Sequence, residues 1–377
     1  MIIGIDGNEA NLEERVGANQ YAFEILWSLY KLQDEWKSRH QIVVYLKEKP
    51  KDFLPPTSNF FRYKIIPGKS LWILTRLMPS LLLGKEKPNV FFSPHHYLPP
   101  LAPMPLVCTI HDLGYLNFSG QFKKYDFWQL KIWSAISILI SKGIIAVSES
   151  TKEEIVRHYP FASKKIEVVP HGYDRDKFNL KVSEEDVRRI KEKYSIVDDY
   201  ILYISTLKPS KNVEGLIEAF SEVKNQFPKL KLVIAGKKGW LFESIFEKVK
   251  KLGLEGRIVF TGYFPEEDRP GLMMGAQAYI LPSFWEGFGM EALNAMACGK
   301  PVIVSNVASL PEVVGEAGIY IDPYKVDSIA KAISKVLTLP KSDYNKIVEK
   351  GLKQVRKFSW EKSGRETLKV LEEAAKK

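Results

Sequence analysis

The chain has 377 residues, more than one ordinary domain holds, so we expect two domains. With 45% hydrophobic and 27% charged residues, its composition is that of a globular protein. The net charge of +10 admits nucleic acid as a partner, but the sequence has no low-complexity basic tail and no RNA-binding signature. We therefore expect no nucleic acid. An anionic donor, an anionic glycolipid or a membrane surface explains the charge equally well.

Cysteine content and hydropathy indicate where the chain works. Its two cysteines, Cys108 and Cys298, form no disulfide framework, which favours a reducing compartment. The first six residues predict a strand rather than a signal peptide. No apolar run reaches 18 residues, so no spanning helix is expected. These features predict a cytoplasmic protein, with peripheral contact at the inner membrane face as a further expectation.

Strand and helix patterns alternate along the first half of the chain. Apolar strands are predicted over residues 2–5, 42–45, 90–92, 106–110, 144–147 and 166–169. Helical patterns, such as 21–32 and 152–158, lie between several of them. This alternation predicts a parallel sheet covered on both faces. Residues 174–196 are polar and charged, and we interpret them as a connector.

The alternation then restarts and predicts a second sheet of the same kind. Its predicted strands are 200–205, 230–235, 258–261, 278–281, 302–305 and 319–321, and residues 341–377 are predicted to be helical. Two open parallel sheets joined by a linker form a cleft between their strand ends, where ligands bind.

Residues 278–312 carry the strongest local pattern. A short apolar strand is followed by a loop with Gly287 and Gly289, and then by a predicted helix over 290–297. The free N–H groups of a helix N-terminus suit a phosphate or a sugar oxygen. Glu286 precedes this loop, and its carboxylate suits ligand hydroxyls better than a phosphate. Together these features predict a nucleotide-sugar site.

Polar residues follow other predicted strands. His111 comes directly after strand 106–110, although a capped histidine in a turn has the same pattern. Lys208 and Lys211 follow strand 200–205, where cations can neutralise a pyrophosphate, although most lysines are simply solvated. Gly17, between the first strand and the first helix, is either a ligand loop or an ordinary helix-start glycine.

The segment PSFWEGFGMEALNAMACGKPVIVSN, residues 282–306, resembles the donor-site signature of retaining glycosyltransferases of family 4. This resemblance runs over nearly the whole chain. It implies the GT-B fold, with two Rossmann-like parallel-sheet domains facing across a cleft. It also implies an acceptor-side domain over 1–175, a nucleotide-sugar-binding domain over 176–360, and a last helix over 361–377 that packs back on the first domain.

The resemblance assigns expected roles to residues of this chain. It implies that Glu286 and His111 contact hydroxyls of the donor sugar and that Lys211 stabilises the diphosphate, which makes these three the predicted catalytic residues. The common arginine positions of the family hold Thr206 and Ser210 here, so Lys208 is the substitute. The other predicted donor-binding residues are Gly17, Gly262, Tyr263, Phe264, Phe288, Gly289, Met290 and Asn294.

The resemblance separates these remaining residues by the part of the donor that they bind. The amides of Phe288, Gly289 and Met290 would face sugar and pyrophosphate, and Gly262 with its two successors would hold the base largely through backbone groups. Asn294 occupies the position where the family has a second glutamate that holds the ribose. This departure weakens the expected ribose contact, because an amide offers no anionic oxygens to a diol.

The implied reaction is transfer of a hexose from a nucleotide-sugar to a sugar or glycolipid acceptor, with retention. The segments 111–113 and 171–174 resemble the mannosyltransferase branch, so GDP-mannose is the first expected donor and UDP-glucose the second. No metal is expected, because the sequence has no HExxH motif and no His/Cys cluster. No other cofactor is expected.

Two alternatives and one further contact complete the expectations. A nicotinamide-dependent oxidoreductase would need GxGxxG after its first strand, which this chain lacks. A catalytically silent sugar-nucleotide-binding protein stays open, favoured by Asn294 and the thinned basic pair. For membrane contact, the apolar segment 71–83 with its basic flanks is preferred over 127–140, which is expected to pack against the sheet.

Overall fold

The computed structural model describes residues 1–118, 120 and 124–376. The chain divides into two compact units. The first comprises Met1–Gly172 together with Ser359–Lys377, and the second comprises Tyr173–Phe358.

The first unit contains a seven-stranded parallel sheet in the order β3-β2-β1-β4-β5-β6-β7. Its strands are β1 (Ile2–Asp6), β2 (Gln41–Leu46), β3 (Phe61–Ile65), β4 (Val90–Ser93), β5 (Leu106–Ile110), β6 (Gly143–Ala146) and β7 (Ile166–Val168). Its helices are α1 (Ala18–Lys31), α2 (Gln33–Trp36), α3 (Met78–Leu83), α4 (Gly114–Asn117), α5 (Lys124–Ile140) and α6 (Glu149–His158). Every residue of β4, β5 and β6 is buried, as expected for central strands covered on both faces.

The second unit contains a six-stranded parallel sheet in the order β10-β9-β8-β11-β12-β13. Its strands are β8 (Tyr200–Ile204), β9 (Lys231–Ala235), β10 (Ile258–Gly262), β11 (Ala278–Leu281), β12 (Val302–Ser305) and β13 (Gly318–Ile321). Its helices are α7 (Glu184–Lys193), α8 (Val213–Val223), α9 (Glu243–Lys251), α10 (Arg269–Met274), α11 (Met290–Ala297), α12 (Leu310–Val314), α13 (Val326–Leu337) and α14 (Lys341–Val355). Both sheets are Rossmann-like, as predicted.

The last helix, α15 (Trp360–Ala374), belongs to the first unit. Ser359 caps it by accepting a hydrogen bond from the Lys362 amide, and α15 packs against α1. Ser28 of α1 donates a hydrogen bond to the Trp360 carbonyl at 2.6 Å. The contact is close because α15 has Gly364 here, where a Cβ would lie 2.1 Å from the Ser28 hydroxyl. The last helix therefore packs back on the first domain, as predicted.

Two elements differ from the sequence-based expectations. β3 was not expected, because its sequence FRYKI carries two charged side chains. It is an edge strand, and edge strands tolerate such residues. The segment 174–196 is not only a connector, since it contains α7. Ser183 caps this helix, and acidic residues fill its first turn while lysines fill its last, so charge placement rather than an apolar stripe marks it.

Candidate active site

The second unit has its topological switch point between β8 and β11. The chain moves outward through β9 and β10 on one side and through β12 and β13 on the other. Ligands of open parallel sheets bind outside the carboxyl ends of the strands at such a point. The loops that follow β8 and β11 carry Lys211 and Glu286, two of the three residues predicted to be catalytic. The amide of Phe284 donates to the carbonyl of Ser210 at 2.9 Å and ties these loops together.

Gly289 shapes the loop after β11. Its φ of 94° and ψ of 45° lie in the left-handed region, and an added Cβ would meet Leu310 at 2.7 Å. The chain then enters α11 at Met290, which leaves the first amides of α11 pointing outward at the end of β11. Phe288, in contrast, turns its side chain inward, where its ring lies 5.8 Å from that of Phe358.

Lys211 and Glu286 form an ion pair. The Lys211 Nζ lies 2.6 Å from the Glu286 Oε1, and the two side chains are only 13% and 11% exposed. The same oxygen accepts a hydrogen bond from Ser283 Oγ at 2.7 Å, and Ser309 Oγ donates to the Glu286 carbonyl at 2.9 Å. The carboxylate is therefore held in one orientation, beside the cation predicted to bind a diphosphate. Sequence analysis had named both residues but not their contact, nor the two serines.

Asn212 holds the backbone directly after Lys211. Residues Pro209–Lys211 form one 3₁₀ turn, and Asn212 then adopts φ 53° and ψ 39°, a left-handed conformation that asparagine tolerates. Its Nδ2 donates to the Pro323 carbonyl at 2.7 Å, which anchors the residue in the interior. From the sequence, only the tolerance of asparagine for a left-handed conformation could have indicated that Asn212 has this role.

The Lys208 side chain lies beside an aromatic ring. Its ammonium lies 5.1 Å from the centre of the Trp240 ring, on the loop after β9. This distance is within the range of a cation–π contact. Lys208 therefore lies at the same end of the sheet as Lys211, next to an aromatic residue. Sequence analysis had not identified Trp240 as its neighbour.

The loop predicted to hold the base begins at the end of β10. Gly262 has a φ of 68°, and its carbonyl accepts a hydrogen bond from the Gly236 amide at 3.0 Å, so the loops after β9 and β10 are linked. Tyr263 is exposed, whereas Phe264 is buried and lies below the Arg269 guanidinium, 5.6 Å from its ring centre. Backbone groups and one exposed ring are thus what this loop presents.

Asn294 lies in the second turn of α11 and is buried. Its Nδ2 is 3.4 Å from Glu291 Oε2, and the other carboxylate oxygen of Glu291 is 2.9 Å from Arg269. The helix therefore carries a carboxylate, that of Glu291, three residues before Asn294, the position where the family has its second glutamate. The predicted helix over 290–297 already brings Glu291 to Asn294 by its i,i+3 geometry, but sequence analysis considered only the position that the family pattern marks.

His111 and Gly17 belong to the first unit. His111 Nε2 donates to the Pro94 carbonyl at 2.9 Å, and burial lowers the pKa of its imidazole to about 4, so the ring is neutral near pH 7. Its ring contacts Tyr21 edge-on, with centres 4.9 Å apart. Gly17 is exposed, with a φ of 54° that favours glycine, and has open space on its Cβ side.

The first unit also has a histidine beside a carboxylate at its switch point, between β1 and β4. His95 Nε2 lies 3.4 Å from the Asp6 carboxylate, and both groups are buried. His95 Nδ1 accepts a hydrogen bond from the Tyr97 amide, so the proton sits on Nε2, facing Asp6. Burial alone would lower the pKa of His95, but the hydrogen bond and charge of Asp6 raise it. Sequence analysis did not identify this buried pair.

Two broader features of the described residues bear on metal and membrane. Within residues 1–118, 120 and 124–376, no group of three histidine, cysteine or acidic side chains lies together. In the same part of the chain, no helix has the length and apolarity needed to cross a bilayer.

Comparison with known proteins identifies the family. The family model described as Glycosyltransferase Family 4 matches residues 27–177, and the one described as Glycosyl transferases group 1 matches residues 186–354. The O-antigen chain mannosyltransferase B of Escherichia coli is 33% identical over 292 residues, which are 76% of this chain and 74% of that protein. The chain belongs to glycosyltransferase family 4. It is a hexosyltransferase of that type.

This family 4 chain is also similar to a longer mannosyltransferase and to a solved structure. The serotype-specific mannosyltransferase WbdA of Escherichia coli is 30% identical over 266 residues, which are 69% of this chain but only 32% of that longer protein. The sucrose-phosphate synthase of Thermosynechococcus elongatus superposes with a TM-score of 0.77 at 19% identity, over 99% of this chain and 98% of that one. This superposition shows the fold, which is GT-B.

Proposed function

We propose that this hexosyltransferase moves mannose from GDP-mannose to a sugar or glycolipid acceptor, with retention of the anomeric configuration. The ion pair between Lys211 and Glu286 at the switch point of the second unit carries the proposal. It puts a cation for a diphosphate and a carboxylate for sugar hydroxyls side by side. The relatives described as mannosyltransferases support mannose as the sugar.

In the proposed reaction, the bond between the anomeric carbon and the donor phosphate oxygen breaks. Lys211 and the first amides of α11 stabilise the negative charge that develops on the leaving diphosphate. The acceptor oxygen attacks the same face of the sugar, and its proton passes to the leaving phosphate oxygen. Glu286 and the neutral His111 orient the sugar by hydrogen bonds. No enzymic nucleophile is invoked.

The cation Lys211 supplies charge that a metal would otherwise provide, so the proposal includes no metal and no cofactor besides the donor. We place the reaction on the cytoplasmic side of the membrane. UDP-glucose is the second candidate donor.

A catalytically silent sugar-nucleotide-binding protein is the second candidate function, because two observations favour it. Asn294 stands where the family has its ribose-binding carboxylate, and the Lys208 ammonium lies 5.1 Å from the centre of the Trp240 ring. The presence or absence of turnover separates the two candidates.

The first experiment is a thermal-shift screen with GDP, UDP and ADP, since a ligand that binds only the folded state raises the melting temperature. We expect the largest shift with GDP. Turnover of GDP-mannose and UDP-glucose is then measured in EDTA and in manganese, and the anomeric configuration of the product is read by NMR. Equal activity in both media and a retained configuration are expected. A GDP-dependent shift without transfer or hydrolysis would establish the silent alternative, and activity restored only by manganese would overturn metal independence.

A further inference from the structure

Helix α5 presents an apolar face to solvent. Tyr125, Trp128, Ile132 and Leu139 are 76%, 53%, 52% and 64% exposed, respectively. Their spacing of three, four and seven residues places them on one side of a helix that has 3.6 residues per turn. We call these four side chains the α5 patch. Tyr125 and Leu139 are 14 positions apart on the helix, so the patch extends along roughly 21 Å.

The opposite face of α5 is the buried one, and it carries serines. Ser134 and Ser137 are buried together with Ile138. Ser137 Oγ accepts a hydrogen bond from the Leu98 amide at 3.2 Å, which fixes the rotation of the helix on the sheet. The exposed aromatic and aliphatic side chains therefore cannot turn inward without unpairing this amide.

The segment 71–83, which the sequence favoured for membrane contact, is less suited to it. It buries Trp72, Leu77 and Leu81, and its only exposed large apolar side chains are the leucines at its two ends, Leu71 and Leu83. Its larger side chains are thus part of the core of the first unit. The contiguous exposed surface lies on α5 instead.

Lysines surround the α5 patch. Residues 124–142 contain three lysines and one acid, Asp126. The Lys131 ammonium lies 5.0 Å from the Trp128 ring centre. At the other end, Lys165 donates to the carbonyls of Ile138 and Leu139 and lies 5.6 Å from the ring of Phe161, which is itself exposed. Apolar and aromatic side chains bordered by lysines match the interface of an anionic bilayer.

We propose that the α5 patch docks onto an anionic lipid surface. A second copy of the chain fits less well, because an isologous contact would bring Lys131 and its neighbours against their own copies. The bilayer supplies both components that the patch lacks, which are apolar depth for the rings and negative charge for the ammonium groups.

The position of the patch adds a functional consequence. Trp133 of α5 packs against Tyr97, with ring centres 5.8 Å apart, and Tyr97 follows the buried His95 at the carboxyl end of β4. Docking would bring this strand end close to the bilayer surface, where the head group of a lipid-borne acceptor lies. This consequence depends on the proposed function, whereas the docking itself does not.

The test is co-sedimentation of the full chain with vesicles of phosphatidylcholine alone or with about one third phosphatidylglycerol. We expect binding to the anionic vesicles only, weakened by salt. Trp128→Ser/Ile132→Ser should lower the vesicle affinity by at least about tenfold, because two half-exposed apolar side chains no longer enter the lipid. The matched control, Leu71→Ser/Leu83→Ser, removes two exposed leucines of segment 71–83 and should bind as the unchanged chain does.

Folding and self-association are checked in the same series. Melting temperature and GDP titration of the variants should equal those of the unchanged chain, so that loss of vesicle binding cannot come from unfolding. Lys131→Glu, which keeps the apolar residues, should also weaken binding. Equal affinity for neutral and anionic vesicles, undiminished binding by Trp128→Ser/Ile132→Ser, or a dimer that forms through the patch without vesicle binding would each overturn the proposal.

Discussion

Glu286→Gln should have opposite effects on free GDP and on mannosyl transfer. Lys211 Nζ is 2.6 Å from the Glu286 carboxylate, so a diphosphate must recruit a lysine that already has an anionic partner. Glutamine keeps the size of the side chain and can still bond to Ser283, but it carries no charge. The substitution therefore releases Lys211 for the phosphate while weakening the site for sugar hydroxyls.

The magnitude follows from the kinds of hydrogen bond exchanged. A bond with a charged partner contributes about 1.5–3 kcal/mol, and a neutral one about 0.5–1.5 kcal/mol. Replacing the charged acceptor of Lys211 by a neutral one should therefore tighten GDP binding by about 1 kcal/mol, or about fivefold. The kcat/KM for GDP-mannose should fall at least about tenfold, because a charged acceptor for the sugar hydroxyls is lost.

Calorimetric titration with GDP, and initial rates with GDP-mannose, measure the two effects. Glu218→Gln is the matched control, since Glu218 pairs with Lys248 between α8 and α9 and should leave both quantities unchanged. Lys211→Ala should weaken GDP binding by about 1.5–3 kcal/mol, opposite in sign to Glu286→Gln. If Glu286→Gln weakens GDP and transfer equally, Lys211 is not the phosphate ligand and the reasoning from the ion pair fails.

Three other predictions concern charge, backbone and pH. Asn294→Glu places a second carboxylate beside Glu291, so we expect tighter ribonucleotide binding only when Glu291→Gln is also present. Titration with GDP and with its 2′-deoxy analogue measures the preference for ribose. An unchanged preference for ribose in both the single and the double variant would contradict this prediction. Gly289→Ala should lower the free energy of unfolding by about 1–2 kcal/mol in denaturant titration, because alanine is strained at a φ of 94°, and unaltered stability would show that the loop relaxes. Burial lowers the pKa of His111 to about 4, so between about pH 6.5 and 4 the unfolded state binds a proton that the folded state does not. The free energy of unfolding should therefore fall by at most about 3 kcal/mol as the pH drops through this range. His111→Gln should reduce that loss, and a pH profile identical to that of the unchanged chain would refute the prediction.

The local patterns were sufficient to predict most of the two sheets. Strands such as β5 and β11 are short apolar runs, and their bounds match the prediction. β3 and α7 escaped because their sequences are rich in charged residues. In both, tertiary position or capping outweighs the apolar pattern on which the prediction relied.

The contacts within the site required the fold. Lys211 and Glu286 are 75 residues apart, and their meeting depends on β8 lying beside β11, which no local pattern specifies. Glu291 and Asn294 are only three residues apart, but their contact was overlooked because the family pattern directs attention to one position. For α5, an apolar composition all round leaves the exposed face undecided until packing fixes it.

The same topological reason explains why each unit holds a carboxylate beside a basic side chain at the carboxyl ends of its central strands. At a switch point, the connections from two neighbouring strands depart in opposite directions, so the strand ends are left uncovered by their own crossovers. A polar side chain placed there can be held by the neighbouring loop, as Asp6 is by His95 and Glu286 by Lys211. In the second unit the partner is a flexible lysine, whose ammonium can move from a carboxylate to a phosphate without loss of charge pairing. That exchange is the physical basis for expecting Glu286 to oppose free GDP binding while it assists the sugar nucleotide.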